Sequence, residues 1–497
     1  MKKSRLNYVF LLALMLIIVL VSSCSPSMRT TPENEISKYK FVGGYPTQTT
    51  IDKTFDELDI QRVSQIYLEF MPLASQQALF KSHIEESGMN TGDVAVFTET
   101  GAGKVNHIGL TYNTESIYAT AYIDLKIVGA YVVETPPNVL GIVNDGWMRF
   151  VTDLGNAGPD KGEGGKYLIV HNDYDGIIPE GYFVYKTPTY RNWVMVRGFE
   201  NLTGSGNDAI EYYQQNFKLY PLGHQSEIKN RYFNYSVEKN INTTHPRNES
   251  YMKLIHETVQ YEPSSAFTAY ELGLLKSLGI EKGKDFNPDH RTMDIYKRGI
   301  ERGDAMAKAN AYANRLHDAK VYEDRQYEHL FIGGSHEFMN DDVLNLDART
   351  LFHYEAIVIT PAMTNKMIGI GSQYVSGYRD NKGDFLMGEN NYKLHLPAGI
   401  PAKDFWSVTL YHPDTRSLLE NGMIKPSINS YDKPEVNEDG SVDLYFGPKA
   451  PIGKEKNWIK TIPGEGWMTL IRLYGPLEPY FDQSWKPNDI EKIQTRN

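Results

Sequence analysis

The chain has 497 residues with 51 basic and 62 acidic side chains, which give a formal net charge of −11. Its basic residues are scattered, so the phosphate backbone of a nucleic acid should repel it, and nucleic acid is not an expected partner. A single cysteine excludes a disulfide within the chain and a zinc site built from several cysteines.

The N-terminus has the pattern of a bacterial lipoprotein signal. Three basic residues precede an apolar run over Val9–Val21, and small residues lead directly to Cys24. The alternative is a transmembrane anchor, but a run of about 13 residues is shorter than the roughly 20 that span a hydrocarbon core. We therefore predict cleavage after residue 23, lipidation of Cys24 and attachment to the cell envelope. Ser25, in place of an aspartate, favours the outer membrane.

Hydrophobic patterns divide the chain into five parts. Residues 1–23 are the predicted signal peptide, and 24–40 are a polar tether without hydrophobic period. Residues 41–226 are predicted to form a helix followed by a β domain, 227–345 a helical bridge, and 346–497 a second β domain. The 34 Tyr and 20 Phe suit the half-buried surface of a sheet. The predicted fold is therefore mainly β, with two β domains joined by helices.

The first helix is predicted between about residues 55 and 80. Val63, Ile66, Tyr67 and Phe70 are spaced three and four apart, which places them on one helix face. Pro72 should kink or end the first part of this helix.

After about residue 94, short alternating or apolar runs predict strands of a sandwich or barrel. These runs are Tyr118–Ile127, Val128–Val133, Trp147–Val151, Tyr167–His171, Tyr182–Tyr185 and Trp193–Val196.

The helical bridge ends in a long charged and alanine-rich stretch, Tyr296–Tyr327, which Gly299 and Gly303 interrupt. Its mixed charges indicate a solvated face with a partner helix behind it. In the last third, residues 347–354 are expected to precede a strand, and a lone His353 is most simply a buried imidazole.

Several catalytic signatures are incomplete. His256-Glu257 and His336-Glu337 begin like zinc-binding helices, but Gln260 and Asn340 occupy the place of the second histidine. No metal site is predicted, and the sequence leaves the cofactor unknown.

A polar and aromatic turn over residues 111–118 is the first candidate site. Glu115 is a candidate base or metal ligand, Tyr118 a candidate acid, and Asn113 a candidate ligand-binding residue. The alternative is an Asx-type turn whose side chains satisfy local backbone groups.

A strand near residue 193 is the second candidate site. Alternation places Arg191, Trp193 and Arg197 on one face, where two arginines could clamp an anionic ligand. Structural ion pairs with the carboxylates of this acidic chain explain the same arginines equally well.

Sequence motifs in both halves resemble known bacterial families. The first half resembles domain of unknown function 1254 at Gly43–Thr47, Glu57–Arg62 with Tyr67, Asn113–Glu115 leading to Tyr118, and Gly164–Ile169. The second half resembles domain of unknown function 1214 at Phe405–Tyr411, Asn437–Ser441, Asn457-Trp458, Arg472–Tyr474 and Trp485. The resemblance implies two jelly-roll-like β-sandwich domains bridged by helices, and a homo-oligomer, but no agreed reaction. Family members commonly carry aspartate where this chain has Glu115, whose carboxylate reaches one methylene further.

Two functions follow as hypotheses. The first is an envelope-anchored protein with a small-molecule pocket, a hydrolase or lyase in which Glu115 and Tyr118 face Arg191 or Arg197. The second is a non-enzymatic envelope component that binds a glycan or a protein through exposed aromatic residues such as Trp458 and Trp467.

Overall fold

The computed structural model describes residues 39–99, 109–235 and 242–494, and the predicted lipidation site, Cys24, lies outside them. The chain divides into two units: the first ends at Asp59, and the second begins at Ile60. The described part of the first unit contains a two-stranded antiparallel hairpin and the start of a long helix. No helix in these three ranges has the length and apolar character needed to cross a membrane.

The described part of the chain contains ten α-helices. They are α1 (Gln48–Phe80), α2 (Leu125–Val128), α3 (Glu200–Thr203), α4 (Asn207–Asn216), α5 (Ser250–Tyr261), α6 (Ala269–Lys276), α7 (His290–Tyr312), α8 (Leu346–Glu355), α9 (Pro361–Thr364) and α10 (Glu478–Phe481).

Strands β1 to β12 belong to the first half of the chain. They are β1 (Phe41–Val42), β2 (Tyr45–Pro46), β3 (Val94–Val96), β4 (Ile117–Asp124), β5 (Ala130–Thr135), β6 (Leu140–Asn144), β7 (Phe150–Gly155), β8 (Gly165–His171), β9 (Phe183–Thr187), β10 (Arg191–Gly198), β11 (Lys218–Pro221) and β12 (Tyr232–Asn234).

Strands β13 to β22 belong to the second half. They are β13 (Met339–Asn340), β14 (Val343–Leu344), β15 (Ser372–Gly377), β16 (Asn391–Leu396), β17 (Ala402–Tyr411), β18 (Ser427–Asn429), β19 (Val442–Gly447), β20 (Trp458–Lys460), β21 (Met468–Pro476) and β22 (Glu491–Ile493).

The N-terminal β domain has two sheets. The larger has the strand order β12-β3-β4-β10-β6-β7, and the smaller has the order β11-β5-β8-β9. One face of the larger sheet packs on the smaller, where Ile117, Val194 and Val196 meet Val133 and Ile169 in an apolar core. Because side chains alternate along a strand, the other face of the larger sheet is left to contact the rest of the molecule.

The C-terminal β domain also has two sheets. Their orders are β15-β21-β17-β18 and β20-β19-β16-β22. Ile471 and Leu473 of β21 pack with Leu394, Leu444 and Phe446 of the second sheet. The opposite side chains of β21 therefore point away from this core.

Helices α1, α5, α7 and α8 contribute to a third apolar core. The four apolar residues predicted to share one face of α1 are all fully buried, which confirms that prediction. The predicted partner helix also exists, because α7 lies directly against α1. A β-carbon added at Gly299 would lie 2.4 Å from Cβ of Val63, and one at Gly303 would lie 2.8 Å from Cβ of Tyr67.

The predicted fold class is confirmed: the chain is β-rich, with two two-sheet domains and helices between them. Some boundaries differ. Pro72 does not end α1, since Phe70, Met71 and Leu73 around it are buried and this packing outweighs one lost backbone hydrogen bond. The helix continues to Phe80.

Two other local predictions are wrong. The segments predicted as adjoining strands over residues 118–133 are separated by α2, which Asp124 caps and which Gly129 ends with a φ of 69°. Residues 347–354, which are predicted to precede a strand, lie within α8, and residues 356–360 directly after the helix form no strand. Asn345 caps α8 by accepting a hydrogen bond from the N–H of Ala348.

Candidate functional site

A cavity of about 160 Å³ lies between the two β domains. One wall is the outward face of the larger N-terminal sheet, and the other includes β15 and β21 of the C-terminal domain. Residues of the segment 356–360, which connects α8 to α9, and Ala362 and Met363 of α9 also line the cavity. A pocket between domains is a common place for a small-molecule site.

The strand register explains which N-terminal side chains reach the cavity. Thr120, Met195, Ile142 and Asp153 form one row across β4, β10, β6 and β7. The next row contains Tyr118, Arg197 and Leu140. Each of these seven residues lines the cavity.

The C-terminal wall follows from alternation along β21. Leu470 and Arg472 face the cavity. The alternate residues Ile471 and Leu473 point to the other side of the sheet and pack in the C-terminal core. Tyr374 of β15 stands opposite Arg472 and also lines the cavity. Thus one arginine comes from each domain.

Arg472 is 2% exposed and is held in place by two hydrogen bonds. Its Nη1 donates to the hydroxyl of Tyr411 at 2.6 Å, and its Nη2 donates to the carbonyl of Thr111 at 2.6 Å. Both acceptors are neutral groups. The guanidinium is therefore fixed without a countercharge in contact.

Arg197 is partly buried and stands opposite Tyr118 on the neighbouring strand, where its charge counters the rise that burial causes in the pKa of that phenol. Its Cζ lies 5.9 Å from the ring centre of Tyr474. Within the described ranges, no carboxylate lies within salt-bridge distance of Arg197 or Arg472. A charge held away from water without an ion-pair partner in contact is costly, and an anion between the two guanidinium groups would reduce that cost.

Neutral hydrogen-bonding groups surround the arginines. Burial raises the pKa of Tyr118 and of Tyr474, although the nearby guanidinium groups oppose that rise. Both phenols therefore stay protonated at neutral pH. The buried Tyr474 hydroxyl and the buried Trp193 indole N–H have no hydrogen-bond partner among the described residues.

Asp153 lies on the same wall, two strands away from Arg197. It is 8% exposed, and burial raises its pKa to about 6, although a hydrogen bond from the hydroxyl of Thr360 opposes the rise. Thr360 also caps α9. The carboxyl group can therefore gain or lose a proton near neutral pH, as a general acid or base must.

The turn at Asn113 has the Asx-type geometry that the sequence left open. Its Oδ1 accepts hydrogen bonds from the N–H of Glu115 at 3.1 Å and of Ser116 at 3.0 Å. Asn113 and Tyr118 both line the cavity.

Glu115 lies behind the cavity wall rather than on it. It is 6% exposed, and its carboxylate accepts hydrogen bonds from the hydroxyl of Thr114 at 2.6 Å and of Ser427 at 3.2 Å. Its charge acts on Arg472 through space. The carboxylate thus stabilises the arginine from outside the cavity.

Arg191, Trp193 and Arg197 share one face of β10, as alternation predicts, but they do not all line the cavity. Trp193 lines the cavity together with Arg197. Arg191 lies at the opposite end of the strand, with its Cζ 3.7 Å from the ring centres of both Phe80 and Tyr261. The two predicted arginines therefore do not meet, and the arginine that lines the cavity together with Arg197 is Arg472.

Arg472 and Asp153 were not predicted as site residues. Arg472 carries one sequence signal, because it is the only charged residue in the apolar strand Met468–Pro476. Asp153 carries none, since an aspartate between Thr152 and Leu154 is equally typical of a solvent-exposed strand position.

The tryptophans named for the binding-surface hypothesis are not exposed. Trp467 is 2% exposed in the C-terminal core. Trp458 is half-buried and donates its indole N–H to the carbonyl of Gly447 at 3.0 Å. In the described ranges, no group of three or more His, Cys, Asp or Glu side chains is placed to hold a metal ion.

Two family models match the chain, and both describe proteins of unknown function. DUF1254 matches residues 95–221, and DUF1214 matches residues 371–478. These matches confirm the resemblance and its N- to C-terminal order. No curated protein matches the chain.

Similar solved structures include the VPA0106 protein from Vibrio parahaemolyticus, which is 16% identical, with a TM-score of 0.54. That match covers 88% of this chain and 100% of the other. An uncharacterized protein from Burkholderia cenocepacia is 12% identical over 89% of this chain and 96% of its own, with a TM-score of 0.42. The Vibrio protein shares the fold.

Proposed function

On the premise that the chain carries a DUF1254 domain followed by a DUF1214 domain, we propose that it binds a small molecule in the cavity between its two β domains. The observation that carries this proposal is the pair of arginines, one from each domain, that reach a mainly apolar cavity without a carboxylate in contact among the described residues. Proteins rarely keep such charges uncompensated unless function requires them.

The cavity is large enough for a small organic molecule. A cavity of about 150 Å³ in the apolar core of another protein holds benzene. The side chains here add polar groups at two ends, with Arg197 and Arg472 at one and Asp153 at the other. This combination of an apolar body with a few polar contacts is typical of a ligand pocket.

A thermal unfolding screen against a library of small metabolites tests the binding proposal. A ligand present at 100 times its Kd stabilises the folded state by about 2.7 kcal/mol. We expect some library members to raise the Tm of the wild-type protein. Met195→Trp, which fills the cavity from the N-terminal wall, should abolish those shifts.

The matched control is Met306→Trp, which makes the same change at a position 40% exposed on α7. It should retain every shift. If Met195→Trp does not fold, Ala362→Phe fills the cavity from another side. Shifts that persist in a folded, cavity-filled variant, or a screen without any shift, would contradict the proposal.

We propose further that the protein is a hydrolase or a lyase. Hydrolysis and elimination both need a proton to move to or from the substrate, and Asp153 supports this because it lines the cavity with a pKa near neutrality. Tyr118, also on the wall, is placed to donate a hydrogen bond to a substrate oxygen. Glu115 acts as a positioning residue for Arg472 in this scheme.

Mass spectrometry of the same library after incubation tests the enzymatic proposal. A substrate should disappear with wild-type protein and persist with Asp153→Asn, while the Asp153→Asn protein still shows the thermal shift. Thermal shifts without consumption of any shifting compound would make the protein a binding protein rather than an enzyme.

For the N-terminus we propose lipidation at Cys24 and attachment to the cell envelope, on the outer membrane. The support is the sequence pattern of residues 1–24. Mass spectrometry of the protein expressed in a bacterium should show a mature chain that starts at residue 24 and carries acyl chains. Cys24→Ser should leave the leader uncleaved, whereas an unmodified wild-type thiol would contradict the proposal.

A further inference from the structure

We infer that the ligand is a small organic acid with one negative charge, whose carboxylate lies between Arg197 and Arg472 and whose apolar body fills the remaining cavity. This inference rests on the proposed function and names its ligand class.

The charges at this end of the cavity do not balance. Arg197 and Arg472 contribute two positive charges, since a guanidinium stays protonated in proteins. Glu115, behind the wall, is the carboxylate whose charge acts on Arg472. One further negative charge would make the group neutral. A monoanion therefore fits better than a neutral ligand or a dianion.

The two guanidinium groups are close enough to act on the same ligand. Both interact electrostatically with the phenol groups of Tyr374 and Tyr474. The Cζ of Arg472 lies 5.7 Å from the ring centre of Tyr374, and the Cζ of Arg197 lies 5.9 Å from that of Tyr474. Tyr374 lines the cavity together with both arginines.

Hydrogen-bond donors exceed acceptors at this end. A guanidinium has five N–H donors, and the two described hydrogen bonds of Arg472 use only part of this capacity. The buried hydroxyl of Tyr474 has no partner in the described part of the chain. A carboxylate accepts several hydrogen bonds through two oxygens, so it matches a surplus of donors.

The remaining walls are apolar. Ile142 and Met195 come from the N-terminal sheet, Val358 from the connecting segment, and Leu330 and Leu470 from the C-terminal half. A bare inorganic anion would leave these side chains against empty space or water. A short acyl chain or a single ring attached to the carboxylate would cover them.

Asp153 disfavours a second acidic group. It lies two strands from Arg197 and one row along the same wall, about 12 Å away by strand spacing and rise. Above pH 6 its own negative charge would repel a second carboxylate at the far end of the ligand. The cavity should thus discriminate against dicarboxylic acids of matching length.

Isothermal titration calorimetry with paired probes tests this inference on the chain from residue 24 to its C-terminus. The probes are benzoate and the straight-chain carboxylates from acetate to octanoate, each paired with its neutral primary amide. We expect at least one carboxylate to bind at least tenfold more tightly than its amide, because the neutral amide cannot form charge-assisted hydrogen bonds with the arginines. Arg197→Met should remove that preference.

Arg191→Met is the matched control, since Arg191 lies on the same face of β10 but outside the cavity lining. It should keep the preference for the carboxylate. If amides bind as tightly as carboxylates and Met195→Trp blocks both, the ligand class is wrong while the cavity remains a binding site. If no probe binds and the metabolite screen also shows no shift, both proposals fail.

Discussion

Tyr118 and Arg197 stand directly opposite each other on the antiparallel strands β4 and β10, and the guanidinium opposes the rise that burial causes in the pKa of the phenol. Cross-strand partners point to the same face of a sheet, so both side chains reach the cavity. Across that cavity, Arg472 is held by Tyr411. The site thus combines rigid elements from both domains, which is the arrangement that keeps a binding geometry fixed.

Arg197→Met should leave the free energy of unfolding unchanged or raise it by about 1 kcal/mol, because it removes a buried charge without a carboxylate in contact in the described structure. Arg472→Met should instead lower it by about 2 to 4 kcal/mol, since the hydroxyl of Tyr411 and the carbonyl of Thr111 lose a charged donor. Urea denaturation measures both. A larger loss for Arg197→Met than for Arg472→Met would contradict this account.

Asp153→Asn should stabilise the protein at pH 7 and have little effect at pH 4. The folded state raises the pKa of Asp153 to about 6, so the folded protein binds its proton more tightly than the unfolded chain does. The cost of the buried charge is fully present above pH 6 and disappears as the pH falls towards the unfolded pKa. We expect a gain on the order of 2 kcal/mol at pH 7. Urea denaturation at a series of pH values would refute this if the difference from wild type did not depend on pH.

Glu355→Gln should also stabilise the folded protein, and this gain in stability should appear at higher pH than that of Asp153→Asn. Glu355 is fully buried, and burial raises its pKa to about 8, although the hydroxyl of Tyr378 donates to both carboxylate oxygens. Wild-type stability should therefore fall as the pH rises from about 5 to 8, and the variant should avoid this loss of ~2 to 4 kcal/mol. Thermal unfolding of both proteins between pH 5 and 9 measures it. Parallel curves would show that Glu355 does not titrate in this range.

Gly299→Ala should lower the free energy of unfolding by about 1 to 3 kcal/mol, because the new methyl group would collide with Val63 of α1. The control is Gly273→Ala in α6, where nothing lies within 4 Å of the added carbon. This change should raise stability by up to about 1 kcal/mol through helix propensity. Equal effects of the two substitutions in chemical denaturation would argue against close packing of α7 on α1.

Local patterns predicted the parts of the fold that local physics determines. Spacing of Val63, Ile66, Tyr67 and Phe70 identified the buried face of α1, and alternation placed Trp193 and Arg197 on one face of β10. The end of α1 near residue 80 matches the predicted span, but the unbroken passage of the helix through Pro72 could not be predicted, because tertiary packing around Pro72 outweighs the local cost of proline.

The candidate site depends on contacts between distant parts of the chain. Arg472 is 275 residues from Arg197 in the sequence numbering, and only the packing of two sheets brings both to one cavity. Arg191, which the same alternation selects, lies at the wrong end of the strand. Strand direction and length, rather than the choice of face, decide which arginine reaches the cavity.

A crystal structure of the protein soaked with 4-bromobenzoate tests the central claim most directly. The account predicts an anomalous bromine peak among the apolar side chains of the cavity, with carboxylate oxygens within hydrogen-bond distance of Arg197 and Arg472. A cavity that excludes the compound at saturating concentration, or a carboxylate that points away from both guanidinium groups, would contradict it.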